Sequence, residues 1–151
     1  MGTRDYKSIN ILIIEDNPGD IRLINEVLND NKLFMTVNTV NDGVDAMDYL
    51  NCRGKFKRSS KPDLIILDLN LPRKDGREVL AEIKSDDLLK HIPVVVMTIS
   101  QSEEDIFRSY NLHANCYVTK PIDLNQFIKV IKSIEDFWFS IVKLPSKPFS
   151  T

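Results

Sequence analysis

The sequence predicts an α/β domain in which five strands and five helices alternate, wound into a five-stranded parallel sheet. Three observations carry this. Four short runs rich in β-branched residues are predominantly apolar, as strands buried on both faces are. The segments between them place apolar residues three and four apart, the period of a helix packed along one side. Capping residues stand just ahead of those segments. Right-handed crossovers between successive parallel strands then put helices on both faces, giving a doubly wound sheet.

The first strand is "INILII", Ile9 to Ile14. Asn17, Pro18 at the first helical position and Asp20 then start a helix whose apolar side is Ile21, Ile24, Val27 and Leu28. "FMTVNTV", Phe34 to Val40, alternates and so suits an edge or half-exposed strand. Val44, Met47 and Leu50 mark the second helix. The third strand, "DLIILD", runs from Asp63 to Asp68, and Asp75 with Glu78 opens the helix of Val79, Leu80 and Ile83. "IPVVVM", Ile92 to Met97, is the fourth strand. Ser102 with Asp105 starts a helix carrying Ile106, Phe107 and Tyr110. "CYVT", Cys116 to Thr119, is the fifth strand. Asp123 with Gln126 begins the last helix, whose stripe of Leu124, Phe127, Ile128, Ile131, Ile134, Trp138 and Ile141 is the strongest helical pattern of the chain.

This division gives an N-terminal segment (1–8), one domain (9–142) and an extended tail (143–151), in which Pro145 and Pro148 prevent helix continuation. The connection 52–62 is a basic insertion holding Arg53, Lys55, Lys57, Arg58 and Lys61. A solvated loop is its plainer reading and a partner patch the alternative. At 151 residues the chain suits one domain with one continuous core. Its 42% apolar and 28% charged composition with net charge −2 gives no bulk attraction to nucleic acid or anionic lipid. No apolar run approaches the roughly 20 residues a membrane helix needs. The N-terminus lacks an apolar signal core, and Cys52 and Cys116 lack paired-ligand spacing, so a cytoplasmic setting with inert thiols is expected. His91 and His113 also lack ligand spacing and read as structural or surface residues.

In open parallel sheets the functional crevice lies outside the carboxyl ends of the strands. The residues placed there are Glu15, Asp16, Asp68, Thr98 and Lys120. Three carboxylates converging in one crevice repel one another unless a positive charge sits among them. Mg²⁺ fits, because it takes oxygen ligands and is usually held by one or two carboxylates together with a phosphate; Lys120 adds a point charge for a phosphoryl oxygen. The five glycines form neither GxGxxG nor a P-loop, so no nucleotide is implied. A carboxylate acting as its own nucleophile, forming an aspartyl phosphate, needs no such cradle.

The set "IIEDNPGD", "IILDLNLPRKDG", "VVVMT" and "CYVTKP", in this order, resembles the receiver domain of two-component response regulators over Ile9 to Glu135. The resemblance implies a flavodoxin-like fold with strand order 2-1-3-4-5. It implies that Asp68 accepts a phosphoryl group from a phosphohistidine on a histidine kinase. By the same resemblance, Glu15, Asp16, Asp68 and the main-chain carbonyl of Asn70 hold Mg²⁺ or Mn²⁺. Thr98 and Lys120 would meet the phosphoryl oxygens, Tyr117 would be the switch aromatic, and Pro121 would occupy the position whose preceding peptide is usually cis. Taken alone, Tyr117 reads equally as a core aromatic. A phosphoryl group brings about −1.5 to −2 charges and three acceptor oxygens, enough to draw in a hydroxyl and an ammonium.

The chain departs from this pattern in places. Glu15 stands where many receivers have aspartate, and its longer arm suggests contact through a metal-bound water. The long separation of Asp16 and Asp68, with "FWFSIVKLP" near the end, resembles single-domain regulators associated with cyanobacterial phytochromes. That likeness implies a phytochrome-type kinase and a homodimer through the last helix face and the tail. Phe137, Trp138 and Phe139 cover more of a helix circumference than one core face requires, which favours an interface over the alternative of a purely intramolecular role. No residues remain for a DNA-binding or catalytic effector, so the expected output is a protein contact, with no enzyme turnover of a small molecule. A phosphatase of the haloacid dehalogenase type needs an acid two positions after its aspartate, where Asn70 stands. A degenerate receiver that binds without phosphate fits poorly with intact Asp68, Thr98 and Lys120. Ile99 is bulkier than the small residue common after the hydroxyl position and should hinder attacking water. Ile99→Ala is therefore expected to shorten the phosphate lifetime, measured as decay of the phosphorylated mass; a longer lifetime contradicts this.

Overall fold

The structure, a computed structural model, describes residues 9–29, 35–98, 116–120 and 122–137. Within them lie β1 (Ile9–Ile14), α1 (Pro18–Asn29), β2 (Met35–Val40), α2 (Gly43–Leu50), a 3-10 turn (Gly54–Phe56), β3 (Leu64–Asp68), α3 (Gly76–Ser85), β4 (Val94–Thr98), β5 (Cys116–Thr119) and α4 (Leu124–Phe137). The strands form one parallel sheet in the order β2-β1-β3-β4-β5. The expected doubly wound α/β fold and strand order are therefore present. The helix expected around Ile106 to Tyr110, the segment 1–8 and the tail 143–151 lie outside the described residues, as do Ile99, His113, Pro121, Trp138 and Phe139.

Strand alternation divides the core between the two faces of the sheet. Leu12, Ile14, Ile65, Leu67, Val94 and Val96 pack with Met47, Leu50, Val79, Leu80 and Ile83, on the side covered by α2 and α3. Their neighbours Ile11, Ile13, Leu64, Ile66, Val95 and Met97 pack with Ile24, Val27, Leu28, Phe127 and Ile131, on the side covered by α1 and α4. Burial on both faces is why Ile11 to Ile14 of β1, Leu64 to Leu67 of β3 and Val94 to Met97 of β4 read as unbroken apolar runs. β2 is at the sheet edge and keeps three of its six residues exposed, matching its alternating sequence.

Two strands start later than their apolar runs. Asp63 precedes β3 and exchanges two bonds with Asn10: its N–H donates to the Asn10 carbonyl at 2.7 Å, and its carboxylate accepts from the Asn10 N–H at 2.9 Å. Ile92 belongs to the turn before β4, where Pro93 has no N–H to give the ladder but its carbonyl still accepts from Ile65 at 3.0 Å. Helix starts follow their capping signals. Asn17 accepts from the Asp20 N–H at 3.0 Å, Asp75 and Glu78 form a reciprocal capping box, and Asp123 accepts from the Gln126 N–H at 3.1 Å.

The basic connection folds back on α2. Arg53 pairs with Asp48 at 3.2 Å and Lys55 with Asp45 at 3.7 Å. Phe56 lies 5.4 Å from the Tyr49 ring, and Ser59 Oγ donates to the Tyr49 carbonyl at 2.7 Å. It is thus an anchored turn, with Lys57 and Arg58 facing solvent.

Gly76 opens α3 directly against the exit of β3. A Cβ there would meet the Asp68 carbonyl and lie 2.5 Å from Leu69 Cα, both of them backbone that cannot step aside. The Gly76 N–H donates to the Leu69 carbonyl at 3.0 Å, which fixes the loop between β3 and α3 to a single path. Gly76→Ala is expected to lower stability by about 1–3 kcal/mol through overpacking, read as a lower midpoint in urea unfolding; an unchanged midpoint contradicts the close approach.

Candidate functional site

The sheet register assembles the site. Ile14 pairs with Leu67, so Glu15 follows beside Asp68; Asp68 pairs with Met97, and Met97 with Val118, two residues before Lys120. Glu15, Asp68 and Lys120 continue the alternation of Ile13, Ile66 and Val118, residues on the α1 and α4 side. They therefore meet at the carboxyl edge of the sheet, where all three are buried.

Each carboxylate is held from several directions. Glu15 Oε2 accepts from the N–H groups of Asp16 at 3.1 Å and Asn17 at 3.0 Å, at the entrance to α1. Its Oε1 lies 2.7 Å from Lys120 Nζ. Asp68 Oδ1 accepts from the Asn70 N–H at 2.9 Å and Oδ2 lies 3.1 Å from Lys120 Nζ. The ammonium has a third carboxylate, Asp20 Oδ2, at 2.8 Å. Burial pushes the Glu15 carboxyl up to about 7; Lys120 and the Asn17 N–H oppose the rise, and Asp68 adds to it. Burial alone would depress the Lys120 ammonium, but hydrogen bonds to Asp20 and Glu15 and the charge of Asp68 outweigh it, holding Lys120 well above the ordinary lysine value.

Glu15, Asp16 and Asp68 each offer a carboxylate oxygen, all within 4.8 Å of one another. Two are buried and Asp16 is exposed. An all-oxygen donor set open to water on one side matches the needs of Mg²⁺ or Mn²⁺.

The loop after Asp68 is fastened to the start of α2. Asp42 caps α2 by accepting from the Asp45 N–H at 2.7 Å and takes Arg73 on its other oxygen at 3.0 Å. Arg73 adopts φ 67°, a left-handed conformation uncommon for a side chain of this size. A Cβ on Gly43 would meet the Lys74 carbonyl, and Lys74 pairs with Glu82 of α3. Asn41 completes the junction by donating to the Glu15 carbonyl at 3.0 Å.

Of the residues singled out in the sequence, Glu15, Asp16, Asp68 and Lys120 come together. Asn70 adjoins Asp68 through its N–H, and Thr98 ends β4 beside them in the sheet. Tyr117 is half-buried and packs on the cluster of the α2 and α3 side. Phe137 is the last residue of α4. Asp20, Asp42 and Arg73 were not foreseen at the site. Asp20 is accounted for in the sequence as a first-turn acid, and nothing local signals its reach to Lys120.

Glu15 supplies a pH test. Its folded value lies above the ordinary 4.5, so between 4.5 and about 7 the folded chain holds a proton that the unfolded chain has released. The stability this contributes is complete below pH 4.5 and is lost as pH rises through 7. Glu15→Gln is expected to flatten that part of the pH dependence, measured by denaturant midpoints in metal-free buffer from pH 4.5 to 8; an unchanged slope contradicts the assignment.

A family model for the response regulator receiver domain matches residues 11–132. Response regulator Rcp1 of Synechocystis sp. is 48% identical over 136 residues, spanning 90% of this chain and 92% of Rcp1. The crystal structure of the phosphorylated cyanobacterial phytochrome response regulator RcpA is similar with TM-score 0.80 and 55% identity, over 93% of this chain and 100% of that one. The Mn²⁺-bound form of Rcp1 is similar with TM-score 0.79 and 48% identity, over 91% and 99%. Family match, fold and the convergence of acids with a lysine at the carboxyl edge agree: the chain belongs to the response regulator receiver domain family.

Proposed function

We propose that the chain is a phosphoacceptor of two-component signalling, receiving a phosphoryl group on Asp68 from a phosphohistidine of a sensor histidine kinase. One observation carries this reading: Asp68 ends a fully buried strand within a cluster of Glu15, Asp16 and a buried Lys120. The strand fixes the nucleophile, and the cluster supplies the electrostatics that phosphoryl transfer depends on.

In the proposed step an Asp68 carboxylate oxygen forms a bond to phosphorus as the bond from phosphorus to imidazole nitrogen breaks, and the electron pair returns to the ring. The Asn70 N–H, 2.9 Å from Oδ1, orients the carboxylate. Lys120, already 3.1 Å from Oδ2, carries its charge to the incoming oxygens with little reorganisation. Glu15, Asp16, Asp68 and the Asn70 carbonyl are the proposed holders of Mg²⁺ or Mn²⁺. When bound, the cation supplies neutralisation of the charge shared by carboxylate and phosphoryl.

Thr98 and Tyr117 are the proposed switch residues, with Ile99 and Pro121 as supporting positions, and the output is a changed protein contact. The kinship with RcpA, and with the Rcp1 fold, supports a kinase of phytochrome type as donor. A homodimer through α4 and Phe137, Trp138 and Phe139 belongs to the same reading, within a unit spanning residues 9–142. A cytoplasmic setting is part of the same proposal, and no helix among the described residues is long and apolar enough to cross a membrane.

Incubation with Mg²⁺ and acetyl phosphate or phosphoramidate is expected to add one phosphoryl mass, and Asp68→Asn is expected to abolish it. No increment from either donor or from a phytochrome-type kinase contradicts the reading.

A further inference from the structure

Lys120 poses a problem for any cation in this site. Its ammonium is buried, so it must keep carboxylate partners, yet Glu15 and Asp68 are also two of the three acids clustered for a metal. Cation and ammonium compete for the same two carboxylates. Asp20 stands outside that cluster, and its Oδ2 lies 2.8 Å from Nζ. Asp20 is itself set in place locally: Pro18 begins α1 and the Asn17 side chain accepts from the Asp20 N–H at 3.0 Å. The helix start thus brings to the lysine a carboxylate that is not one of the clustered acids.

We infer that Asp20 is a positioning residue, which holds the Lys120 ammonium so that Glu15 and Asp68 can turn their oxygens to a divalent cation. With Asp20 present, Lys120 stays charged and hydrogen-bonded while the acids are shared. Without it, the ammonium has only the cluster's own carboxylates, and a cation must displace it from them at the cost of leaving a buried charge poorly paired. This inference rests on the cation site proposed above and assigns it a residue that acts through Lys120.

A bland role for Asp20 exists: an acid in the first helical turn favours the helix dipole. That role affects folding and leaves the coupling to Lys120 untouched. A direct pull of Asp20 on the cation would also weaken binding when removed, but equally whether or not Lys120 is present. A double-mutant cycle separates the three.

Calorimetric titration with MgCl2 is made on the wild type, Asp20→Asn, Lys120→Met and the double variant, with Lys120→Gln replacing Lys120→Met should the latter not fold. Asp20→Asn is expected to raise the Mg²⁺ Kd roughly fivefold to tenfold in the wild-type background. In the Lys120 variant it is expected to change Kd by less than about twofold. The same fold-change in both backgrounds assigns Asp20 a direct electrostatic effect and overturns the inference. An unchanged Kd with a lowered melting temperature leaves only the helix-start role and also overturns it. Absence of Mg²⁺ uptake by the wild type is a different failure, of the cation site itself.

Discussion

The structure turns on one buried ammonium. Lys120 lies 2.7 Å from Glu15, 2.8 Å from Asp20 and 3.1 Å from Asp68, at the edge of a sheet whose interior is otherwise apolar. Buried carboxylates this close repel, and truncating one partner of such a group leaves uncompensated charge, at several kcal/mol in comparable settings. The lysine therefore makes the cluster tolerable. Because it is shared among three acids, any change of charge at one of them is felt by the other two.

The frame around it consists of backbone and small-residue contacts that leave little slack. Parallel register sets Glu15 beside Asp68, and two N–H groups at the entrance to α1 fix the Glu15 carboxylate. Gly76 brings α3 against the Asp68 backbone, and Gly43 brings α2 against the Lys74 carbonyl. Asp42 joins these parts by capping α2 with one oxygen and holding Arg73 with the other. The nucleophile of the proposed transfer thus sits where a strand, two helix starts and a clamped loop meet. A site assembled in this way restricts the carboxylate to a narrow range of positions, which electrostatic catalysis rewards.

Much of this is legible in the residues alone, for identifiable reasons. Strands buried on both faces leave few polar positions, so Ile11 to Ile14 of β1, Leu64 to Leu67 of β3 and Val94 to Met97 of β4 stand out as uninterrupted apolar runs; helix caps are local, so Asn17, Asp75 and Asp123 announce α1, α3 and α4. The rule that chemistry gathers at carboxyl ends of parallel strands then picks out Glu15, Asp16, Asp68 and Lys120. What stays hidden is tertiary. Asp20 has a sufficient local explanation as a helix-start acid, which conceals its bond to a lysine on another strand. Arg73 and Asp42 are 31 residues apart, and neither belongs to a motif that suggests the other. The basic side chains of the connection are exposed, as a solvated loop requires, but the pairs with Asp45 and Asp48 form only once the 3-10 turn folds back and so stay hidden too.

That turn has a consequence for how such a domain can diversify. α2 runs from the carboxyl edge, where Asp42 meets the Arg73 loop, back to the amino edge, and residues 51–62 lie there between the end of α2 and the start of β3. The segment carries its own fastenings, Arg53 to Asp48, Phe56 against Tyr49 and Ser59 to the Tyr49 carbonyl, and borrows none from the acidic cluster. Lys57 and Arg58 can therefore be exchanged, or the turn lengthened, without retuning the chemistry at the opposite rim. The domain thus fastens its acidic cluster and its basic turn independently, at opposite edges of the sheet. For the experimenter, the exposed turn at Lys57 and Arg58 is where a reporter group can be attached while the acidic edge is left alone.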